Sequence, residues 1–360
     1  MAGENPTNGN NGGSTNGLAA QLTALLARGA SQEEFERQIF YFNLEKTRAE
    51  DAELADMLLA CAIPRAFDAE IIGVLRAAPD DKETNQRLLK GLQDFTFVLQ
   101  RQGGGYVYHD NTRDMLLKDW QSDARRDEFR KYAQRLFEFY LKRGKARFDE
   151  DKYDDAIADL NYAAELEPEN ADVYFWRGRT YRVLEDYSAA LTDFNRVLAL
   201  TPDDAAAYFW RGRTHQNLQD YAAAIADFDQ AIRLQPDDPY NYQSRGINHR
   251  LLQQYEPALA DLTRAIELMP EEGTNFYWRG RVYGDMNNFE AALADFTRAC
   301  DLQKDDAYNF YWRGLTHYQL KNYEAALADF TRSIELQAKD DNTYAYWWRG
   351  RTYYQLQNYT

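Results

Sequence analysis

Histidine and cysteine, on which most metal sites and many nucleophilic mechanisms depend, are scarce here: four histidines and two cysteines in 360 residues. Cys61 and Cys300 fall in separate apolar helical contexts. That excludes a disulfide framework or a cysteine metal motif and fits a reducing compartment. No stretch approaches 18 apolar residues, and the N-terminus lacks the basic and apolar regions of a secretory signal. A cytoplasmic chain with no membrane contact is expected. No Gly-x-x-x-x-Gly-Lys-Ser/Thr phosphate loop occurs, so no cradle of amides and lysine is available for a nucleotide, and no cofactor is expected. Positive charge is also lacking. The formal net charge is -16, with -4 on residues 1–135 (21 acidic, 17 basic) and the remaining -12 on the rest. This balance argues against a nucleic-acid or anionic-membrane binder.

What the chain has is a period. An Arg-Gly pair recurs with its glycine at Gly144, Gly178, Gly212, Gly246, Gly280, Gly314 and Gly350, five intervals of 34 residues and a last one of 36, with two extra residues around Ala338 to Thr343. Offsets within the unit are constant. Nine residues after the glycine stands an aromatic (Tyr187, Tyr221, Tyr255 and their equivalents), twelve after it alanine (Ala190, Ala224, Ala258), and fifteen after it aspartate (Asp193, Asp227, Asp261). Apolar residues recur at spacings of three and four, which predicts two short amphipathic helices per unit. Small residues at matching places let the helix backbones approach. Pro168, Pro202, Pro236 and Pro270 are expected to end the second helix. The acid pairs before each first helix (Asp203-Asp204, Asp237-Asp238, Glu271-Glu272, Asp305-Asp306, Asp340-Asp341) are expected to be helix caps.

Tyr174, Gly178, Tyr181, Ala190, Phe194 and Pro202 meet the aromatic, Gly, Tyr, Ala, aromatic, Pro pattern of the tetratricopeptide repeat, and the chain resembles that family over about residues 137–360. The resemblance implies an all-α superhelical solenoid of αα-hairpins, six complete copies and the first helix of a seventh. A helix left without its partner in the seventh copy would also offer a face for self-association.

Ahead of the repeats, residues 1–17 are rich in Gly, Asn, Ser and Thr and read as a flexible leader. Periodic apolar residues from Leu18, and a longer helical stretch over about Gln32 to Ala62, open a small domain spanning 18–122. Within it come a helix, a turn at Ile63-Pro64, a second helix capped by Asp68, a third helix over ETNQRLLKGLQDF, and two alternating segments, FTFVLQ and YVYHD, around Arg101 to Gly105. Three helices and a hairpin predict a winged helix. A charged and aromatic connecting helix over 123–136 is expected to run unbroken into the first repeat. The segment 55–121, with Tyr108, His109 and Asp110 after the hairpin, resembles the winged-helix part of STAND-class signalling ATPases, though tyrosine replaces the family's methionine. The resemblance implies a nucleotide-sensing remnant at His109 and Asp110. With no phosphate loop here, it implies an ATPase core on another chain or upstream.

Two sets of side chains are candidates for recognition. In the six complete copies the arginine before the glycine has an aspartate sixteen residues on (Arg177 with Asp193, Arg211 with Asp227, and so on), which reads either as an arginine track for a ligand or as an ion pair tying the two helices together. Two residues before the glycine stand Trp176, Trp210, Trp278, Trp312 and Trp348, broken by Lys142 and Ser244. By resemblance, the concave groove is lined by the position before these and the one four residues later: Phe175 with Arg179, Phe209 with Arg213, Tyr277 with Arg281, Tyr311, and Trp347 with Arg351. Aromatic faces beside guanidinium groups suit a peptide or protein ligand with acidic and aromatic side chains. The other reading is packing between repeats. His215, His249 and His317 take the place of Tyr181, Tyr283 and Tyr353 and read as core substitutions. The expected function is a non-enzymatic protein-interaction scaffold and sensor. A DNA-binding regulator and a purely structural scaffold are the alternatives; for the first, Arg87 and Lys90 on the third helix and Arg101 in the wing are few phosphate contacts.

Overall fold

The computed structural model describes residues 12–102, 104–122, 124–337 and 343–359, and divides into two compact units that meet at Pro168 and Glu169. In the first unit α1 (Gly12–Ala27) and α2 (Gln32–Glu50) precede α3 (Ala52–Ala60), α4 (Ala69–Arg76) and α5 (Lys82–Gln93). Strands β1 (Val98–Gln100) and β2 (Tyr106–Tyr108) then pair antiparallel with Val98 opposite Tyr108, and Phe67 bridges to Tyr106. Helices α6 (Asp110–Trp120), α7 (Arg126–Asp149) and α8 (Tyr153–Leu166) complete the unit.

Two expectations for this part need correcting. Residues 12–17 of the expected leader are the first turn and a half of α1, while residues 1–11 lie outside the described residues. The helical stretch expected over about 32–62 is two helices. Asp51 adopts an extended backbone, ends α2 and caps α3 by accepting from the Leu54 amide at 3.0 Å. A short acid that bonds the backbone two or three residues on competes with helix continuation, and here it wins.

Asp68 caps α4 as its position suggests, accepting from Ile71 N at 2.9 Å. Helix α7 runs 24 residues through the connecting segment and into the first repeat without a break. The first repeat is part of the unit's core. Tyr162 donates to Ile63 O at 2.9 Å, Arg143 Nη1 reaches Glu70 at 3.1 Å, and Arg135 donates to Leu75 O.

The second unit is helix pairs throughout: α9 (Ala171–Val183) with α10 (Tyr187–Leu200), α11 (Ala205–Asn217) with α12 (Tyr221–Leu234), α13 (Pro239–Leu251) with α14 (Tyr255–Leu268), α15 (Gly273–Asp285) with α16 (Phe289–Leu302), α17 (Ala307–Gln319) with α18 (Tyr323–Leu336), and then α19 (Thr343–Tyr359). Within a pair the approach is set by small residues. A Cβ added at Gly212 would lie 3.0 Å from Phe228 Cε1 and 3.2 Å from Asp227 Cβ, and Ala224 on the facing helix is fully buried. Larger side chains there would push the helices apart.

The second helices end two residues before Pro202, Pro236 and Pro270. Proline is not required, however, because α16 ends at the same place, Leu302, with Lys304 in the proline's position. The next first helix supplies a cap instead: Asp204, Asp238, Glu272 and Asp306 each accept from an amide in the first turn. Only the second acid of each pair is a cap. Glu271 pairs with Arg298 at 3.2 Å, and Asp237 and Asp305 stand 3.8 Å from Arg264 and Arg332. Asp340-Asp341 and the two extra linker residues lie outside the described residues.

Candidate interaction face of the repeat array

First helices touch first helices: α9 meets α11, α11 meets α13, α13 meets α15, and α17 meets α19. They form the closer-packed layer of the second unit, with the second helices behind. The groove positions and the tryptophans before the glycines lie on these first helices.

The recurrent arginine and aspartate are consumed within the repeat. Nε and Nη2 of Arg177, Arg211, Arg245, Arg279 and Arg313 donate to the two carboxylate oxygens of Asp193, Asp227, Asp261, Asp295 and Asp329 at 2.6–2.9 Å, and Arg143 does the same with Asp159 at 2.8 Å. The aspartates are buried. Bidentate hydrogen bonds hold the guanidinium pKa of Arg211, Arg279 and Arg313 above the ordinary arginine value, against an opposing effect of burial. The third nitrogen reaches the preceding repeat's second helix: Arg211 Nη1 donates to Asn195 (2.7 Å), Arg245 Nη1 to Asp229 (2.6 Å) and Arg279 Nη1 to Thr263 (3.1 Å). One side chain therefore fixes the hairpin and its neighbour together, which is the ion-pair reading with a further bond that repeat spacing did not suggest.

The candidate groove positions take a different geometry. Phe175, Phe209, Tyr277 and Tyr311 are half-buried, each edge-on or tilted to the tryptophan beside it and to a phenylalanine of the second helix, at 6.3 Å from Phe194, 5.8 Å from Phe228, 6.1 Å from Phe296 and 6.1 Å from Phe330. They pack inside their own repeat. The arginines four residues on turn to the tryptophans. Arg179 lies 4.5 Å from the Trp176 ring and 4.9 Å from Trp210 of the next repeat, against 5.9 Å from Phe175. Arg281 lies 3.6 Å from Trp312 of the next repeat, and donates to Tyr277 Oη at 2.8 Å. Trp347 is 54% exposed, and Arg351, also exposed, lies 5.2 Å from its ring. Among the described residues no aromatic ring lies over Arg213; Ser244 stands where the next tryptophan would be.

Arg182 escaped the sequence reading. It lies 4.7 Å from Trp210 on the same face, but its repeat position holds Gln216, Arg250, Gly284 and Tyr318 elsewhere, so a search for recurrent residues passes over it.

His215, His249 and His317 each place Nε2 3.9 Å from the aspartate of their own repeat's ion pair. Among the described residues no three His, Cys, Asp or Glu side chains are arranged to hold a metal ion, and no helix is long and apolar enough to cross a membrane. In the first unit His109 and Asp110 are exposed at the start of α6. The His109 amide donates to Phe97 O at 2.8 Å, at the hairpin's end. Tyr108 beside it is buried, with its hydroxyl donating to Leu58 O at 2.8 Å and its pKa pushed up by burial. A methionine there would lose that bond.

Family models of the tetratricopeptide repeat match residues 144–184, 178–239 and 277–342. The helix pairs of this chain are tetratricopeptide repeats. Among solved structures, the type IV pilus biogenesis factor PilW shares 19% identity at a TM-score of 0.54, covering 57% of this chain and 96% of its own. PilF of Pseudomonas aeruginosa shares 12% at 0.52, covering 63% and 99%. MamA of Desulfovibrio magneticus RS-1 shares 21% at 0.45, covering 47% and 96%. Likeness at these identities is likeness of fold. No curated protein sequence matches the chain.

Proposed function

We propose that the repeat array is a non-enzymatic protein-interaction scaffold whose inner, first-helix face takes a peptide or protein segment with acidic and aromatic side chains. The observation that carries this reading is the contrast between two sets of arginines one helical step apart. Arg177, Arg211, Arg245, Arg279 and Arg313 are spent on buried aspartates, whereas among the described residues Arg213 and Arg281 have no carboxylate within ion-pair distance. Burial lowers the pKa of both. A partly buried cation against the Trp312 ring, Arg281, and a second with neither ring nor ion pair among the described residues, Arg213, suit an anionic partner better than a purely internal role.

We further infer, from the resemblance of residues 55–121, that the first unit is a winged-helix module of a STAND-type ATPase system, with His109 and Asp110 as a nucleotide-sensing remnant and the ATPase core supplied elsewhere. Three helices followed by an antiparallel hairpin, and an accessible His109 at its end, support this reading. The DNA-binding alternative is weakened by Arg87, which is tied to Asp51 and Glu53.

The test is a capture from the source cell's lysate with the intact chain and with Arg179, Arg213 and Arg281 all changed to alanine, after circular dichroism has shown both to be folded. A partner held by the intact chain and lost from the variant supports the inner face, and a phosphate-loop ATPase among those retained supports the signalling system. Identical captures would favour a purely structural scaffold.

A further inference from the structure

Arg182 and Arg213, on the facing sides of α9 and α11, are partly buried, and the Nε of each is buried with no hydrogen-bond partner. Among the described residues neither guanidinium makes a hydrogen bond or an ion pair. One helical turn after Arg213, Gln216 Oε1 is likewise buried and unpartnered. Burial, together with the positive charges of Arg213 and Arg179, lowers the pKa of Arg182. Such a cluster raises the energy of the free fold, because a buried donor without a partner costs its desolvation and like charges repel.

The neighbouring repeats show what is missing. Arg179 lies under Trp210 and Arg281 under Trp312, but the ladder breaks at Ser244, so Arg213 has neither an indole nor a carboxylate. The guanidinium of Arg182, which lies 4.7 Å from the Trp210 ring, and that of Arg213, three residues beyond this tryptophan, with the Gln216 amide one turn further on, suit a planar carboxylate accompanied by a peptide N–H.

We propose that Arg182 and Arg213 form a subsite for the side-chain carboxylate of an acidic residue in an extended peptide, with Gln216 accepting a peptide N–H of the same segment. This rests on the reading of the inner face as a peptide-binding surface, and gives that surface a sequence requirement at one place.

The test uses the full chain, calorimetric titration at low ionic strength, and three probes: acetyl-Tyr-Glu-Phe-Glu-Tyr-amide, its counterpart with glutamine for glutamate, and that glutamine peptide as the free acid. The glutamate peptide is expected to bind at least tenfold more tightly than either glutamine peptide, and the Arg182→Gln/Arg213→Gln double variant is expected to erase the difference. Because the variant removes unpaired buried charge, its Tm should equal or exceed that of the parent; a lower Tm means the guanidinium groups are held by the fold, and overturns the subsite. Equal binding of glutamate and glutamine peptides, still lost when Arg179 and Arg281 become alanine, sinks the acidic subsite and leaves the inner face standing. If no probe binds, both readings fall. Tighter binding of the free-acid glutamine peptide than of its amide would mean a terminal carboxylate, and competition by inorganic phosphate as strong as that of the glutamate peptide would mean a phosphate site; either result overturns the assignment.

Discussion

Arg245 Nη1 donates to Asp229 Oδ1 at 2.6 Å across the seam between two repeats, the same distance at which its Nη2 meets Asp261 within its own repeat. The two bonds are not equal in energy. The Asp261 side chain is 7% exposed and that of Asp229 is 51% exposed. Asp261→Ala should cost about 3 kcal/mol, because it strands a partly buried guanidinium. Asp229→Ala should cost about 0.5 kcal/mol, in the range of solvent-screened pairs. Urea unfolding of the two variants checks the ratio, and similar losses would show that the seam bond is not screened.

The turn inside each repeat places a residue in the left-handed region without using glycine: Glu185 (φ 62°), Gln219 (62°), Gln253 (60°), Asn287 (58°) and Lys321 (61°). A side chain there is strained, whereas glycine adopts the conformation freely. Gln219→Gly and Gln253→Gly should each raise stability by up to about 1 kcal/mol, offset in part by the greater freedom of the unfolded chain. A lower midpoint in denaturant would show that the side chain supplies a compensating contact.

His317 is faced by Asp329 and Arg313; burial lowers its pKa, with Asp329 acting in the opposite sense. A histidine whose folded value lies below its unfolded value leaves stability intact above about pH 6.5 and reduces it as pH falls through that value, since the unfolded chain takes up the proton more readily. Replacing it by the tyrosine found at the matching place in other repeats should flatten the fall in Tm between about pH 7.5 and 5.5. Parallel curves for His317→Tyr and the parent would rule the histidine out as the source.

Burial pushes the Cys300 thiol up to about 12 and that of Cys61 higher still, and both side chains are nearly inaccessible. Since the thiolate is the reactive form, a thiol reagent at pH 8 should label neither in the native protein and both after denaturation. Fast labelling of either one in the native state would place it on the surface.

The local rules written into a repeat were readable one residue at a time. Gly212 and Ala224 set the approach of two helices and Asp68 caps α4, because each effect depends on neighbours a few residues or one repeat away. Asp51 was the exception among these local signals. Its flanking residues continue the apolar pattern of α2 into α3, and only the extended backbone at that residue reveals the break.

The sequence alone determined the tetratricopeptide architecture, since a 34-residue period leaves each hairpin an apolar face that stacking must bury. It also offered the pairing of Arg177 and its equivalents with their aspartates as one of two readings, and the structure decided for it. Tertiary structure decided which rings the remaining arginines face. Arg179 lies against both Trp176 and Trp210, Arg281 lies against Trp312 of the next repeat while donating to Tyr277 Oη, and Arg182 lies against Trp210 of the next repeat. Such contacts depend on the angle and offset between successive hairpins. That geometry is set by packing summed over the whole interface, and a residue-by-residue reading of one repeat does not contain it.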